Sequence, residues 1–240
     1  EAFWKGVTER TRVIFVSHIT SPTALTLPVA QICQRANAAG ILTVIDGAHV
    51  PGQLDLALDD LGADFYTGNC HKWLCAPKGS AFLYASPERQ ALLEPLVVSW
   101  GWESRNPSGS PFIDYLEWVG TNDPAAYLSV PAAIEYQTQH NWAEVRRACH
   151  QLGVQLRDNI QAITGLPHIM PDDERWWMQL VAVPIATDDP ETLKRRLWDQ
   201  YRIEVPIITW EDYTFVRVSL QAYNGVQDGE RLVEALKVLL

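Results

Sequence analysis

Two short stretches of the sequence decide the fold: Ile41-Leu-Thr-Val-Ile-Asp46 and Gly68-Asn-Cys-His-Lys-Trp73. The first is typical of a buried strand that ends on an acid, because the four residues over 42–45 that precede Asp46 are all apolar or β-branched. The second follows another apolar stretch and carries Lys72. Ligands of parallel sheets collect at the carboxyl ends of the strands, so we expect Asp46 and Lys72 to meet at that edge.

This pair of residue types suits one kind of cofactor. A lysine amine can form a Schiff base with pyridoxal phosphate (PLP), and a carboxylate opposite the pyridine nitrogen keeps that nitrogen protonated. The pair therefore predicts chemistry at the α-carbon of an amino acid. Two ordinary alternatives stay open: Lys72 as a solvated loop lysine, and Asp46 as the first residue of an Asp-Gly turn.

Strands and helices alternate along the first half of the chain. The pattern predicts strands over 13–17, 42–46, 64–67 and 79–84, with helices over about 28–39 and 54–61. This alternation is typical of an α/β protein with a mostly parallel sheet covered by helices. The strand at 13–17 is continuously apolar, which is typical of a strand covered on both faces.

The pattern changes after Pro87. Residues 100–111 are rich in Gly, Ser, Pro and Asn and predict a long loop, from which Trp100 and Trp102 would reach the substrate. Helices are predicted over 124–138, 142–163, 190–201 and 226–239, and strands over 178–184, 203–206 and 215–219. We therefore expect residues 1–145 to form part of a large domain and residues 146–240 a small α+β domain.

The composition excludes several classes of partner. The 240 residues are 47% hydrophobic and carry a formal net charge of -10, so a nucleic-acid partner is not expected. No apolar run approaches the roughly 20 residues of a membrane span, and no signal peptide opens the chain. The four cysteines lack zinc-type spacing and indicate free thiols in a reducing compartment. We expect a cytoplasmic protein without a membrane partner or a metal.

Several motifs resemble the class V aminotransferase family. They are Val44-Ile-Asp-Gly-Ala-His49, Leu61-Gly-Ala-Asp-Phe-Tyr66, Cys70-His-Lys72, Ala76-Pro-Lys-Gly79 and Trp118-Val-Gly-Thr-Asn122. Ser17-His-Ile-Thr-Ser-Pro-Thr23 and Ser99-Trp-Gly-Trp102 are most similar to its isopenicillin N epimerase-like branch. The resemblance covers about residues 11–240. It implies the PLP-dependent transferase fold type I, which is like that of aspartate aminotransferase.

The resemblance also implies cofactor contacts. His49 would lie near the ring oxygen or the acid, and His71 near the phosphate. Asn69 stands where the family often has a serine or threonine that touches the phosphate, and Ser21 lies in a loop that reaches toward the ring hydroxyl. Thr121 resembles a position that contacts the phosphate of the neighbouring subunit, which implies a homodimer with a shared active site. Loop residues without a ligand role, and an N-cap role near Thr121, remain the alternatives.

Arg217 is predicted to bind the substrate. It lies in the apolar stretch Phe215-Val-Arg-Val-Ser219, where a guanidinium without an anion would be costly. Arginine holds carboxylates through paired hydrogen bonds, and the family has an arginine in this setting before a Tyr-Asn pair, here Tyr223-Asn224. The alternative is a structural salt bridge.

Two departures from the family narrow the expected function. Its cysteine desulfurases carry a nucleophilic cysteine in the small domain, whereas all four cysteines here precede residue 150, so a persulfide mechanism is not expected. The turn that binds the cofactor phosphate in the amino-terminal part of the family is not visible in this sequence. We therefore expect this chain to be the carboxyl-terminal portion of a longer protein or one half of a split enzyme. The prediction is a PLP-dependent transferase, epimerase or C–S lyase in which Lys72 also moves the α-proton. The alternative is a paralogue that binds no PLP alone.

Overall fold

The computed structural model describes residues 1–240 and contains two β-sheets. The first sheet has the order β1-β2-β3-β4, formed by Val13–Ser17, Leu42–Asp46, Phe65–Asn69 and Ala81–Ala85. The first three strands are parallel and β4 runs antiparallel to β3. Ser17, Asp46 and Thr67 pair side by side, so the carboxyl ends of the parallel strands form one edge. The predicted mostly parallel sheet is confirmed.

Helix α1, Val29–Ala38, covers one face of this sheet. Its buried residues Val29, Ile32, Cys33 and Ala36 recur at helical spacing and pack with Ile14, Val16, Ile45 and Tyr66. The opposite face has no cover in this chain, where Val13 is 49% and Phe15 is 70% exposed. The expectation of a strand covered on both faces is therefore wrong for these residues, because α1 packs only on the face of Ile14 and Val16.

The connections after β2 differ from the prediction in detail. Helix α2 spans only Leu58–Leu61, because the chain first forms a bridge between Pro51 and Leu54. The predicted loop over 100–111 is followed by helix α3, Pro111–Glu117, which Ser110 caps by accepting the Ile113 N–H. The single helix predicted over 124–138 is two helices in the structure, α4 over Ala125–Leu128 and α5 over Val130–Gln139. The Ser-Pro signal at 110–111 could have been read as a helix start.

The second sheet is antiparallel, with the order β5-β7-β6. Its strands are Leu180–Ile185, Ile207–Trp210 and Tyr213–Ser219, and its helices are α6, Trp142–Thr164, α7, Pro190–Tyr201, and α8, Val226–Leu239. The prediction of a strand over 203–206 is wrong. The hairpin turn at Glu211 sets the pairing of β6 with β7, and Pro206 has no N–H for a sheet ladder.

The two sheets share a small apolar core. Val50 and Trp73, from loops beside the first sheet, pack there with Leu180, Ala182 and Phe215 of the second sheet. This contact places the second sheet against the carboxyl edge of the first, where Asp46 lies. The candidate site lies where the two sheets meet. None of the helices combines the length and apolar character needed to cross a membrane.

Candidate active site

Asp46 ends β2 at the carboxyl edge of the sheet and is half-buried. Its Oδ1 accepts the Ala48 N–H at 2.9 Å, and its carbonyl oxygen accepts the His18 N–H at 2.8 Å. The chain then turns at Gly47, where a Cβ would lie 2.2 Å from the Tyr66 ring. Asp-Gly is therefore a turn here, as one alternative had it, and the turn leaves Asp46 with one carboxylate oxygen that forms no hydrogen bond within the chain.

A hydrogen bond from Trp73 determines which ring nitrogen of His49 carries the proton. The Trp73 Nε1–H donates to His49 Nδ1 at 3.2 Å, and because the indole is only a donor, a neutral His49 carries its proton on Nε2. The pKa of His49 is lowered to about 4, mainly by burial and also by the charges of Lys72 and Arg217, while the charge of Asp46 opposes the shift. At neutral pH the ring is therefore uncharged and offers one N–H donor.

Lys72 follows β3 in a turn and is half-buried. Its amine forms no hydrogen bond or ion pair within the chain. Burial lowers the pKa of Lys72, the negative charge of Asp46 opposes this effect, and the charge of Arg217 adds to it. Lys72 is therefore partly withdrawn from water and has an unpaired amine.

A cavity of about 300 Å³ lies beside the Lys72 amine. His49, Ser219 and Tyr223 line it, together with Trp73, Cys75 and Gln221. Cys75 is the one cysteine in this lining, and burial raises its pKa, so it is a thiol rather than a thiolate at neutral pH. Trp100 and Trp102, which the sequence placed over the substrate, do not line it, and Trp102 instead packs against Tyr115.

Arg217 lies on β7, paired with Ala182 of β5. Its Nη1 donates to the carbonyl oxygen of Ser21 at 2.7 Å and to the Ser21 hydroxyl at 2.9 Å, while its Nε is buried without a partner. Burial lowers the pKa of Arg217, and no carboxylate of the chain forms an ion pair with it. The structural salt bridge that was the alternative role is therefore absent, and Ser21 contacts Arg217.

Of the predicted site residues, only His49 and Lys72 line the cavity, and Asp46 and Arg217 do not. Asn69, at the end of β3, is half-buried and makes no side-chain hydrogen bond, and His71 Nδ1 lies 3.0 Å from the Ser80 carbonyl oxygen. Thr121 is exposed. The N-cap residue of α4 is Pro124, and Asp123 before it accepts the Ala125 N–H through Oδ1 at 2.9 Å.

Sequence reasoning missed several residues of the site. Trp73 directs His49, and Ser219, Gln221 and Tyr223 line the cavity. Trp73 directly follows the lysine and Tyr223 belongs to the Tyr-Asn pair, so both positions were a usable signal. Gln221 gave none, because its contacts are to residues far away in the chain.

A second histidine, His18, contacts the tyrosine whose ring packs against the Asp46 turn. His18 Nδ1 is hydrogen-bonded to the Tyr66 hydroxyl at 3.0 Å, and burial lowers the pKa of His18 to about 4. The arrangement as a whole brings an unpaired amine, a carboxylate and a neutral imidazole to one edge of the first sheet, and the second sheet carries an arginine without an anion. Such a set can bind a small zwitterion and transfer protons at a carbon next to a carboxylate.

Comparison with known proteins agrees with this geometry. The sequence profile of the class-V aminotransferases matches residues 1–232. An isopenicillin N epimerase of Amycolatopsis lactamdurans is 37% identical in an alignment that covers 100% of this chain and 63% of that protein. An L-cysteine desulfhydrase of Arabidopsis thaliana is 25% identical over 95% of this chain and 54% of its own length. The chain thus spans between 54% and 63% of these relatives.

A solved structure shares the fold. The enzyme C-DES, with glycine covalently linked to its PLP cofactor, superimposes with a TM-score of 0.84 at 20% identity, over 99% of this chain and 63% of that one. The predicted fold type I is therefore confirmed. Together with the profile match over nearly the whole chain, these similarities confirm the predicted resemblance, and the chain belongs to the class V aminotransferase family.

Proposed function

We propose that the protein is a PLP-dependent enzyme that acts at the α-carbon of an amino acid. One observation carries the proposal: the amine of Lys72 is unpaired and half-buried, with its pKa lowered by burial, at the sheet edge that also carries Asp46. Surface lysines are solvated and need no such setting. A lysine in this environment suits covalent attachment of a carbonyl group.

The residues of the site fit the cofactor. Lys72 would hold PLP through its amine, and Asp46, with one carboxylate oxygen without a hydrogen bond, would face the pyridine nitrogen. His49 would donate from Nε2 to the ring oxygen, since Nδ1 is occupied by Trp73. Asn69 and His71 are proposed for the phosphate. When bound, PLP draws electrons from the α-carbon of the amino acid.

The side chains of the chain would divide the remaining work. The lowered pKa of Lys72 increases the neutral fraction of its amine, which can then take a proton from the α-carbon and return it. Asp46 supplies the negative charge that keeps a proton on the ring nitrogen. Arg217, whose buried Nε has no partner, would bind the α-carboxylate and fix the direction in which the α-hydrogen points.

The named relatives support two outcomes for the same proton step. In an epimerase the proton returns on the other face of the α-carbon, whereas in a desulfhydrase the loss of the proton leads to cleavage of a carbon–sulfur bond. No cysteine follows residue 149, so a persulfide on the small domain is not proposed. The alternative of a paralogue that binds no PLP is not favoured, because the named relatives are enzymes.

We also propose a homodimer with a shared active site, located in the cytoplasm. Thr121 is exposed and does not line the cavity of its own chain, which leaves it free to approach a second copy. The four cysteines are unpaired, which suits a reducing compartment.

Lys72 can be tested directly by reductive trapping. After incubation with PLP and reduction with borohydride, peptide mapping by mass spectrometry should locate the label on Lys72, and Lys72→Ala should remove it. Lys78→Ala is the matched control, because Lys78 is exposed in the following turn and should not matter. Label that persists in Lys72→Ala or maps to Lys78 would reject the proposal.

A further inference from the structure

A ring of buried hydrogen bonds joins the site to the second sheet. It begins at Gln53, which is 1% exposed and uses both ends of its amide. Its Nε2 donates to the His49 carbonyl at 2.8 Å, and its Oε1 accepts the N–H groups of Gln179 at 2.9 Å and Leu180 at 3.0 Å. One side chain thus holds the His49 loop to the start of β5.

Other side chains close the ring on the far side of the lysine loop. Gln179 Nε2 donates to Gln221 Oε1 at 3.2 Å, and Gln221 Nε2 donates to the Trp73 carbonyl at 3.5 Å. The Trp73 Nε1–H then returns to His49 Nδ1. The ring therefore contacts both sides of the His49 loop and the residue that follows Lys72.

The ring also reaches the strand that pairs with the strand of Arg217. β5 is paired with β7, with Leu180 opposite Ser219 and Ala182 opposite Arg217, so a displacement of the start of β5 would move the arginine. The Gln179 and Leu180 N–H groups are buried, and without Gln53 they would lose their acceptor. Buried donors without partners are costly, so the strand would shift to satisfy them.

We infer that Gln53 is a positioning residue: it sets the separation between the His49 and Lys72 group and Arg217, so that one amino acid contacts both. The consequence for the substrate rests on the proposed function, whereas the separation itself does not. The substrate class that follows is an α-amino acid with a free carboxylate, bound at its amine by one sheet edge and at its carboxylate by the other sheet.

The pKa of His49 should depend on this separation, and it can be measured without any ligand. Burial lowers this pKa most, the charges of Lys72 and Arg217 lower it as well, and Asp46 acts in the opposite direction. If the second sheet moves away, the contribution of Arg217 falls while Lys72 and Asp46 stay on the first sheet. The pKa of His49 should then rise.

The experiment uses NMR titration of the cofactor-free protein, with the His49 signal assigned by its loss in His49→Gln. Gln53→Met should raise the pKa of His49 from about 4 toward its ordinary value, and the Gln179 and Leu180 amides should exchange about 10-fold faster or more. Gln53→Asn, which keeps the amide but is too short for both ends, should act in the same direction if the methionine variant does not fold.

Two comparisons make the test specific. Gln137→Met removes another buried glutamine, which donates to the Trp73 carbonyl at 2.9 Å but does not reach the second sheet, and it should leave both amides protected. In an Arg217→Ala background, Gln53→Met should change the pKa of His49 no further, because the charge that it displaces is gone.

An unchanged His49 pKa in a folded Gln53 variant would overturn the inference. The inference would also be overturned if Gln53→Met raised the pKa of His49 by the same amount in the Arg217→Ala background. Gln53 would then act through the local hydration of His49 and not through the position of Arg217. A failure of PLP to label Lys72 would reject the proposed function and leave these readouts intact. In the loaded enzyme, Gln53→Met should raise the KM for an amino acid about 10-fold and leave the binding of an amine without a carboxylate unchanged.

Discussion

At the scale of single residues, the site is defined by charges that lack their usual partners. The amine of Lys72 and the Nε of Arg217 have no hydrogen-bond partner in the chain, although both groups are partly withdrawn from water. Such an arrangement is costly for folding alone, and perturbed, unpaired groups in a cleft are typical of functional sites. Their proposed roles can therefore be separated by single substitutions.

Asp46→Asn should keep PLP on Lys72 and lower the exchange of the α-proton by about 100-fold or more, because a neutral amide cannot keep the ring nitrogen protonated. Deuterium incorporation into candidate amino acids measures this exchange. Asp55→Asn is the control for the same loss of charge, since Asp55 is an exposed partner of Arg146. Exchange that is equal in the two variants would mean that Asp46 has only a structural role.

Arg217→Ala should weaken amino acid binding about 10 to 150-fold, which corresponds to roughly 1.5–3 kcal/mol for a charge-assisted pair. The concentration of amino acid needed to shift the visible spectrum measures this effect, and the spectrum without substrate should not change. Arg217→Lys should lose less, because it keeps the charge but not the forked geometry. Loss of the cofactor instead would assign Arg217 a structural role.

At the scale of the elements, loops after the parallel strands bring the site residues together. The turn after β2 carries Asp46 and His49, and the turn after β3 carries Lys72. These loops contact each other closely at Gly52, where φ is +88° and a Cβ would lie 2.5 Å from the peptide between Trp73 and Leu74. The close approach of the two backbones brings His49 and Trp73 within hydrogen-bond distance.

Gly52→Ala should destabilise the protein by about 2 kcal/mol or more, because the side chain meets backbone atoms and the φ angle is unfavourable for alanine. Urea unfolding measures the free energy of unfolding. Gly6→Ala is the control, since a Cβ there meets nothing within 4 Å. Equal midpoints for the two variants would show that the loops can separate at no cost.

Two half-buried histidines, His18 and His49, follow β1 and β2 and should make stability depend on pH. The pKa values of His18 and His49 are lowered to about 4, so between pH 6.5 and 4 the unfolded chain takes up protons that the folded protein does not. Stability should be fully present above pH 6.5 and should fall toward pH 4, by on the order of 2–3 kcal/mol per histidine.

Urea unfolding at several pH values measures this slope. His18→Gln and His49→Gln should each flatten it, and His140→Gln should not, because His140 is exposed. A slope that is unaffected by both buried-site variants would contradict the assignment.

At the scale of the whole molecule, the site lies where two sheets meet, and the proposal adds a second copy. If Thr121 of one copy completes the site of the other, Lys72→Ala and Thr121→Arg should each be inactive as homodimers. Hybrids formed by refolding an equal mixture should regain about a quarter of the parental activity, because half of the dimers are hybrids with one intact site. Lys72→Ala mixed with itself is the control, and no recovery in the mixture would reject a shared site.

The local features of the fold could be predicted from the amino-acid sequence. β1 and β2 have their predicted bounds, α7 and α8 begin and end as predicted, and Asp46 and Lys72 follow strands of one sheet. Each of these follows from an apolar period or a start and stop signal within a few residues of the feature. The fold class could be predicted because its alternation of strands and helices is a property of neighbouring residues.

The contacts that complete the site could not be predicted in this way, because they join residues far apart in the chain. Ser21 and Arg217 are 196 residues apart and in contact, and the oxygen of Gln53 binds backbone groups 126 and 127 residues away. The position of β6 likewise depends on its pairing with β7. Such contacts arise when two separately formed sheets pack against each other, and they leave no periodic pattern near either partner. For this reason the sequence predicted the lysine and the acid, but not the glutamine ring between the sheets.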